Sequence, residues 1–265
     1  MNLELGYYVF ENFDECVTWR GKKFDDNEKF DKFLKVEVAN KVIDKIGRDK
    51  FIGFINSLSI TGLSSNNIKN YLSVNNSALP GWKVSEALAE TFLEMEQQIV
   101  FPWSNVRDYK NPSANLAGSD IVGLYERENK WMFVFGEVKS SSEKKYPPQV
   151  MSNKKEHMGG QLDSIIKEED AKFNLIKWLY FRVKNTDFFE SYQNAVLTYV
   201  ESESKHFLMV GVLVRDTEVD ENDLSKLGNK LRNEINLPTK CNLIALYLPW
   251  DLKHLANKVS QRGEL

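Results

Sequence analysis

The chain has 265 residues, of which 42% are hydrophobic and 28% charged, enough apolar content for a sizeable core and too much for intrinsic disorder. Its formal net charge of −3 provides no global basic field, so a nucleic-acid partner would have to be held by local patches or delivered by another subunit. The two cysteines, Cys16 and Cys241, make no disulfide or zinc spacing, the N-terminus is aromatic and acidic rather than leader-like, and apolar runs are only strand-sized. A cytoplasmic protein with no membrane partner is the expectation.

Residues 1–80 carry no motif of their own and read as an N-terminal elaboration, a candidate docking region for a partner. Within it "YYVFENF" has strand character, "NEKFDKFLKVEVANKVIDKIG" has the spacing of one amphipathic helix, and "FIGFINSLSITGLSSNNIKNYL" reads as a helix running into a Ser/Asn-rich connection. The segment "KVSEALAETFLEMEQQ" is a clearer helix. Its apolar stripe is Val84, Leu88, Phe92 and Met95, and its acidic side is Glu86, Glu90, Glu94 and Gln97. A short strand is expected at "IVFPW", then an Asn/Pro/Ser-rich loop, then two strands, "DIVGLYER" and "WMFVFGEVKS", joined by the polar "ENK" tip as a hairpin.

A basic, proline-containing loop, "SEKKYPPQVMSNKKEH", leads into a helix over about residues 160–180 (boundaries to roughly 2–4 residues). "TDFFESYQNAVLTYVESES" is also helical in pattern. The tail alternates strand "FLMVGVLV", helix "ENDLSKLGNKLRNEI", strand "CNLIALYLPW" and helix "DLKHLANKVSQ". The order predicts an α/β fold, a mixed sheet flanked by helices.

The second hairpin strand poses a chemical question. Trp131, Phe133, Phe135, Glu137 and Lys139 share one face, so an apolar strand ends in a carboxylate and an ammonium on the same side. Burying charge there is costly unless it is paired or does chemistry. In an antiparallel hairpin the start of one arm lies beside the end of the other, which brings Asp120 next to Glu137 and Lys139. Two carboxylate ligands can hold Mg²⁺, or Mn²⁺ in its place, while a lysine orients a water or neutralises a transition state. The alternative is an exposed ion pair at a frayed strand end, with Asp120 a turn residue.

This pattern resembles the PD-(D/E)XK nuclease superfamily, whose core carries an Asp and a Glu-X-Lys on adjacent strands between helices. The matching residues are Asp120 in "GSD" and Glu137-Val138-Lys139 in "GEVKSS", with Ser119 standing where the literal motif has proline. The resemblance covers about residues 84–214 and implies a restriction-endonuclease-like domain within 81–265 acting on DNA with Mg²⁺. Catalysis would fall to Asp120, Glu137 and Lys139, and a preceding helix carboxylate would complete the metal site. Glu90 is the choice for that carboxylate, with Glu86 and Glu94 one turn either way as competitors. Gln161 resembles the glutamine that some superfamily members place near the site. Chain length and "GSDIVGLY…FVFGEVKSS" also resemble the HamA family, nuclease subunits of bacterial Hachiman antiphage defence, which implies a HamB-like helicase partner. Lys144, Lys145, Lys154 and Lys155 flank the loop after the Glu-X-Lys strand and are candidates to grip phosphates, although charged loops are commonly just solvated. Two rival readings remain: a non-catalytic subunit that keeps the fold to dock a helicase, and a stand-alone restriction-type enzyme.

Overall fold

The computed structural model describes residues 5–58, 79–108 and 118–260. The Ser/Asn-rich connection expected after the third helix and the middle of the Asn/Pro/Ser-rich loop lie outside them. The fold is α/β, a six-stranded mixed sheet flanked by helices. Strands β1 (Gly6–Asn12), β2 (Val17–Phe24), β3 (Ile121–Arg127), β4 (Lys130–Ser141), β5 (Phe207–Arg215) and β6 (Lys240–Tyr247) align in the order β1-β2-β6-β5-β4-β3. The four central strands are parallel, and antiparallel partners close both ends, β1 on β2 and β3 on β4. All nine residues of β5 are buried, as a parallel strand covered on both faces requires.

One face of the sheet packs against α1 (Glu28–Phe33), α2 (Ala39–Val42), α4 (Gly81–Gln97) and α9 (Leu255–Ser260). The other packs against α5 (Met158–Lys167), α6 (Glu169–Val183), α7 (Phe189–Glu201) and α8 (Asn222–Arg232). The N-terminal segment adds β1 and β2 to this same sheet, and Phe30, Phe33 and Leu34 enter the same core cluster as α4. Among the described residues no helix is long and apolar enough to cross a membrane.

Several local expectations are corrected. The first helix is interrupted by a π-helical turn at Leu34–Val38 and stops before Asp44. That residue, at φ 47°, caps α3 (Lys45–Ser57) by accepting the Gly47 N–H at 3.2 Å. The strand expected at "IVFPW" is a single bridge, Val100 to Leu124, because Pro102 has no N–H to extend a ladder. The helix expected over 160–180 is two, split where Glu168 becomes extended. Lys172 is buried below the break and donates to the last carbonyls of α5, Ile165 O at 2.9 Å and Ile166 O at 3.2 Å. The β2 strand was not anticipated. Its alternation of Val17, Trp19 and Gly21 with Thr18, Arg20 and Lys22 is masked by charge.

In helix α4, Val84, Leu88 and Phe92 of the expected stripe are buried, whereas Met95 is exposed. Its acidic side is no solvated face, since Glu90 is 9% exposed and α2 and α9 pack beside the helix.

Candidate functional site

The hairpin register decides where the charged groups meet. The turn at Glu128–Asn129 has positive φ at both residues, 54° and 60°, the geometry of a tight type I′ hairpin. The ladder then pairs Ile121 with Gly136, so the next residue on each arm is Asp120 and Glu137. Ser119 fastens that end: its hydroxyl accepts the Gly136 N–H at 3.0 Å and also bonds the Gly136 carbonyl. Asp120 Oδ2 accepts the Val138 N–H at 3.0 Å, and Asn105 Nδ2 donates to the Asp120 carbonyl at 3.1 Å. The Asp120 carboxyl is therefore aimed by the backbone of the very tripeptide that carries Glu137 and Lys139.

Glu137 is 4% exposed. Lys139 Nζ lies 2.5 Å from its Oε1, but Oε2 is buried without a hydrogen-bond partner among the described residues. Burial raises the Glu137 pKa to about 8, with the Asp120 charge adding to the rise and Lys139 opposing it. Asp120 is also raised by burial, against the Val138 N–H and Lys139. Two carboxyls this close need a proton or a cation between them. A hard divalent cation is one such partner, and Glu137 Oε2 with the Asp120 carboxyl beside it is a donor pair of the right chemistry for it. Among the described residues no group of three Asp, Glu, His or Cys side chains stands ready as a metal cluster. The candidate donor set is Asp120 and Glu137.

The helix carboxylate beside them is Glu86. It lines one cleft together with Asp120 and Gln161, and burial followed by the charges of Asp120, Glu90 and Glu137 raises its pKa to about 9. Glu90, the residue chosen from sequence, sits one turn further along α4 with Lys41 Nζ at 3.4 Å from its Oε2. Burial raises it to about 7 against that lysine. Glu94 takes the closer bond from Lys41, 2.5 Å. An ammonium from α2 thus occupies both competitors, and only Glu86 of the three opens onto the cleft.

Gln161 is brought to the Asp120 cleft, and so is Lys155. Lys144, Lys145 and Lys154 are exposed and do not line it; Lys145 pairs with Glu143 at 3.3 Å. The root of their loop is nonetheless fixed. Arg215, fully buried, donates to Ser141 O at 2.8 Å, to Lys145 O at 3.1 Å and to Asp223 at 3.0 Å. Sequence reasoning missed Asn105 and Arg215, whose roles depend on chain closures of 15 and 74 residues that no local pattern shows.

No protein-family model matches the chain, and no curated protein is similar enough to match it.

Proposed function

We propose that the chain is a metal-dependent phosphodiesterase of the PD-(D/E)XK type that acts on DNA. The observation that carries the reading is the buried Glu137 with the half-buried Asp120 beside it, one glutamate oxygen bound by Lys139 and the other without a hydrogen-bond partner among the described residues. A fold does not by itself imply an activity, but a hairpin that sets a second carboxylate beside a buried glutamate sacrifices stability for no evident structural gain.

In this proposal Asp120 and Glu137 hold Mg²⁺ or Mn²⁺, and Glu86 contributes through the shared cleft. The ion, when bound, supplies Lewis-acid stabilisation of charge at the scissile phosphate. The Val138 N–H keeps Asp120 oriented, and Ser119 keeps the strand ends in register. Lys139, 22% exposed and paired with Glu137, is an ammonium that can donate a hydrogen bond to the attacking water or offset phosphate charge. The exposed lysines Lys144, Lys145 and Lys154 offer the sequence-independent grip on a backbone that the acidic balance of the chain otherwise lacks. By resemblance to HamA, the setting is antiphage defence in the cytoplasm with a helicase that delivers the DNA. Cleavage of DNA that needs Mg²⁺ or Mn²⁺ and is lost in Glu137→Ala with the fold intact tests the reading. Full activity in chelator overturns it.

A second reading, a non-catalytic docking subunit, draws on the apolar surface of α6 and α7. Phe173, Phe181, Leu197 and Val200 there are each at least 57% exposed. Measuring divalent-metal binding separates the two, since a docking module has no need of a coordinated ion.

A further inference from the structure

Beside Asp120 lies a cleft of about 510 Å³, within the size range of sites for small organic ligands. It opens between the start of β3, the last strand of the sheet, and helices α5 and α6. Its walls are of two kinds. Val122, Ile165, Leu175 and Trp178 are apolar, and Gln161, Ser164 and Asn174 are neutral hydrogen-bonding groups. The Trp178 indole is held still: its Nε1 donates to Asp108 Oδ2 at 3.0 Å, and the Arg182 guanidinium lies 4.3 Å from its ring centre. At the mouth, Gly118 presents no side chain. Among the described residues a Cβ there would meet just Leu175, at 3.9 Å, and its φ of 129° disfavours any larger residue.

Among the described residues the titratable groups of the cleft are Glu86, Asp120 and Glu168 against one exposed lysine, Lys155. That one lysine is little for a phosphate to bind inside it. A flat, neutral group with donors and acceptors on its rim is what a fixed aromatic wall and two primary amides suit. A nucleobase is such a group, and a cleft of this volume holds one nucleoside but not a stacked base pair.

We propose that the cleft receives one unstacked nucleobase next to the scissile phosphate, so that the preferred substrate is a single strand or an unpaired end rather than intact duplex. This rests on the phosphodiesterase reading for the placement of the phosphate. In a duplex the base has to leave the stack first, and that cost discriminates against paired DNA.

The test uses the full chain at low salt. In chelator, a labelled single-stranded oligonucleotide binds about tenfold more tightly than its blunt duplex, and Ala171→Phe, which fills the cleft, abolishes that preference. Asn174→Ala, which removes an amide without adding volume, weakens single-strand binding in the same direction and stands in if Ala171→Phe melts early. With Mg²⁺, one abasic nucleotide beside the scissile bond slows the parent protein but not Ala171→Phe. Equal binding of both DNA forms, untouched by either variant, overturns the base site. Mg²⁺-dependent cleavage of duplex at the single-strand rate also overturns it and leaves the phosphodiesterase standing. A strand preference that Ala171→Phe removes, without any hydrolysis, supports the base site and retires the phosphodiesterase.

Discussion

Glu137→Gln separates a metal site from a structural ion pair, because the two predict opposite effects on stability. The ordinary glutamate value of 4.5 is raised to about 8 in the folded chain, first by burial and then by Asp120. A folded-state value above the unfolded one means that the native state binds the extra proton. Its contribution is fully present below about pH 4.5 and is lost as pH rises through about 8. Each tenfold change in proton affinity is ~1.4 kcal/mol, so the ionised glutamate at pH 9 costs the metal-free protein on the order of a few kcal/mol. Glutamine removes that charge, keeps the shape and leaves Lys139 partly hydrated. In chelator Glu137→Gln should therefore melt higher than the parent at pH 9, by roughly 2–4 °C per kcal/mol for a chain near this size, with the gap closing towards pH 5. Adding Mg²⁺ should raise the parent by ~2.7 kcal/mol at a hundred times its dissociation constant and leave Glu137→Gln unmoved. The readout is thermal melting from pH 5 to 9, with and without Mg²⁺. A variant that melts lower at every pH, with a parent indifferent to Mg²⁺, would show that Glu137 serves only to pair Lys139.

Lys139→Ala should slow cleavage roughly a hundredfold or more while metal affinity, read by calorimetry, is nearly unchanged. Its stability cost should be small at pH 7 and grow towards pH 9, because Glu137, already raised to about 8, takes up a proton when the ammonium is removed. Glu86→Gln should reduce hydrolysis strongly, whereas Glu90→Gln should leave kcat within a few-fold of the parent; the reverse ranking would return the metal site to Glu90. Arg215→Ala leaves the buried Asp223 unpaired and should destabilise by ~3–5 kcal/mol in denaturant unfolding.

The parts of the fold that were legible in the sequence are those specified locally. The "ENK" tip, the apolar alternation of β4 and the hydrophobic runs of β5 and β6 each fix one element and one register, and the register alone places Asp120 against Glu137. What could not be read depends on distant closure. Which of Glu86, Glu90 and Glu94 opens onto the Asp120 cleft depends on packing, since Lys41 of α2 reaches across to pair with two of them. A helix that looks amphipathic alone is buried nearly all round once α2 and α9 pack on it, so its acidic side gave no information about direction. The strand β2 was hidden for a related reason: it pairs with β6, some 220 residues away, and its lysines and arginine break the apolar alternation.

Ser119 shows how a relaxed motif keeps its geometry. Proline at this position would fix φ and set the entry of Asp120 into the strand, at the cost of a ladder donor. Serine fixes nothing by itself, but here its hydroxyl joins both backbone groups of Gly136, one residue before Glu137. Gly136 is constrained on its other side too, where a Cβ would lie 2.0 Å from Val210 O on β5, so no larger residue fits between those strands. Ser119 and Gly136 thus act together: the glycine lets β4 close on β5, the serine ties the start of the hairpin to β4, and Asp120 is delivered to the Val138 N–H. The spacing "GSD" and "GEVK" is read best as this paired clamp, with the two carboxylates held on either side of it.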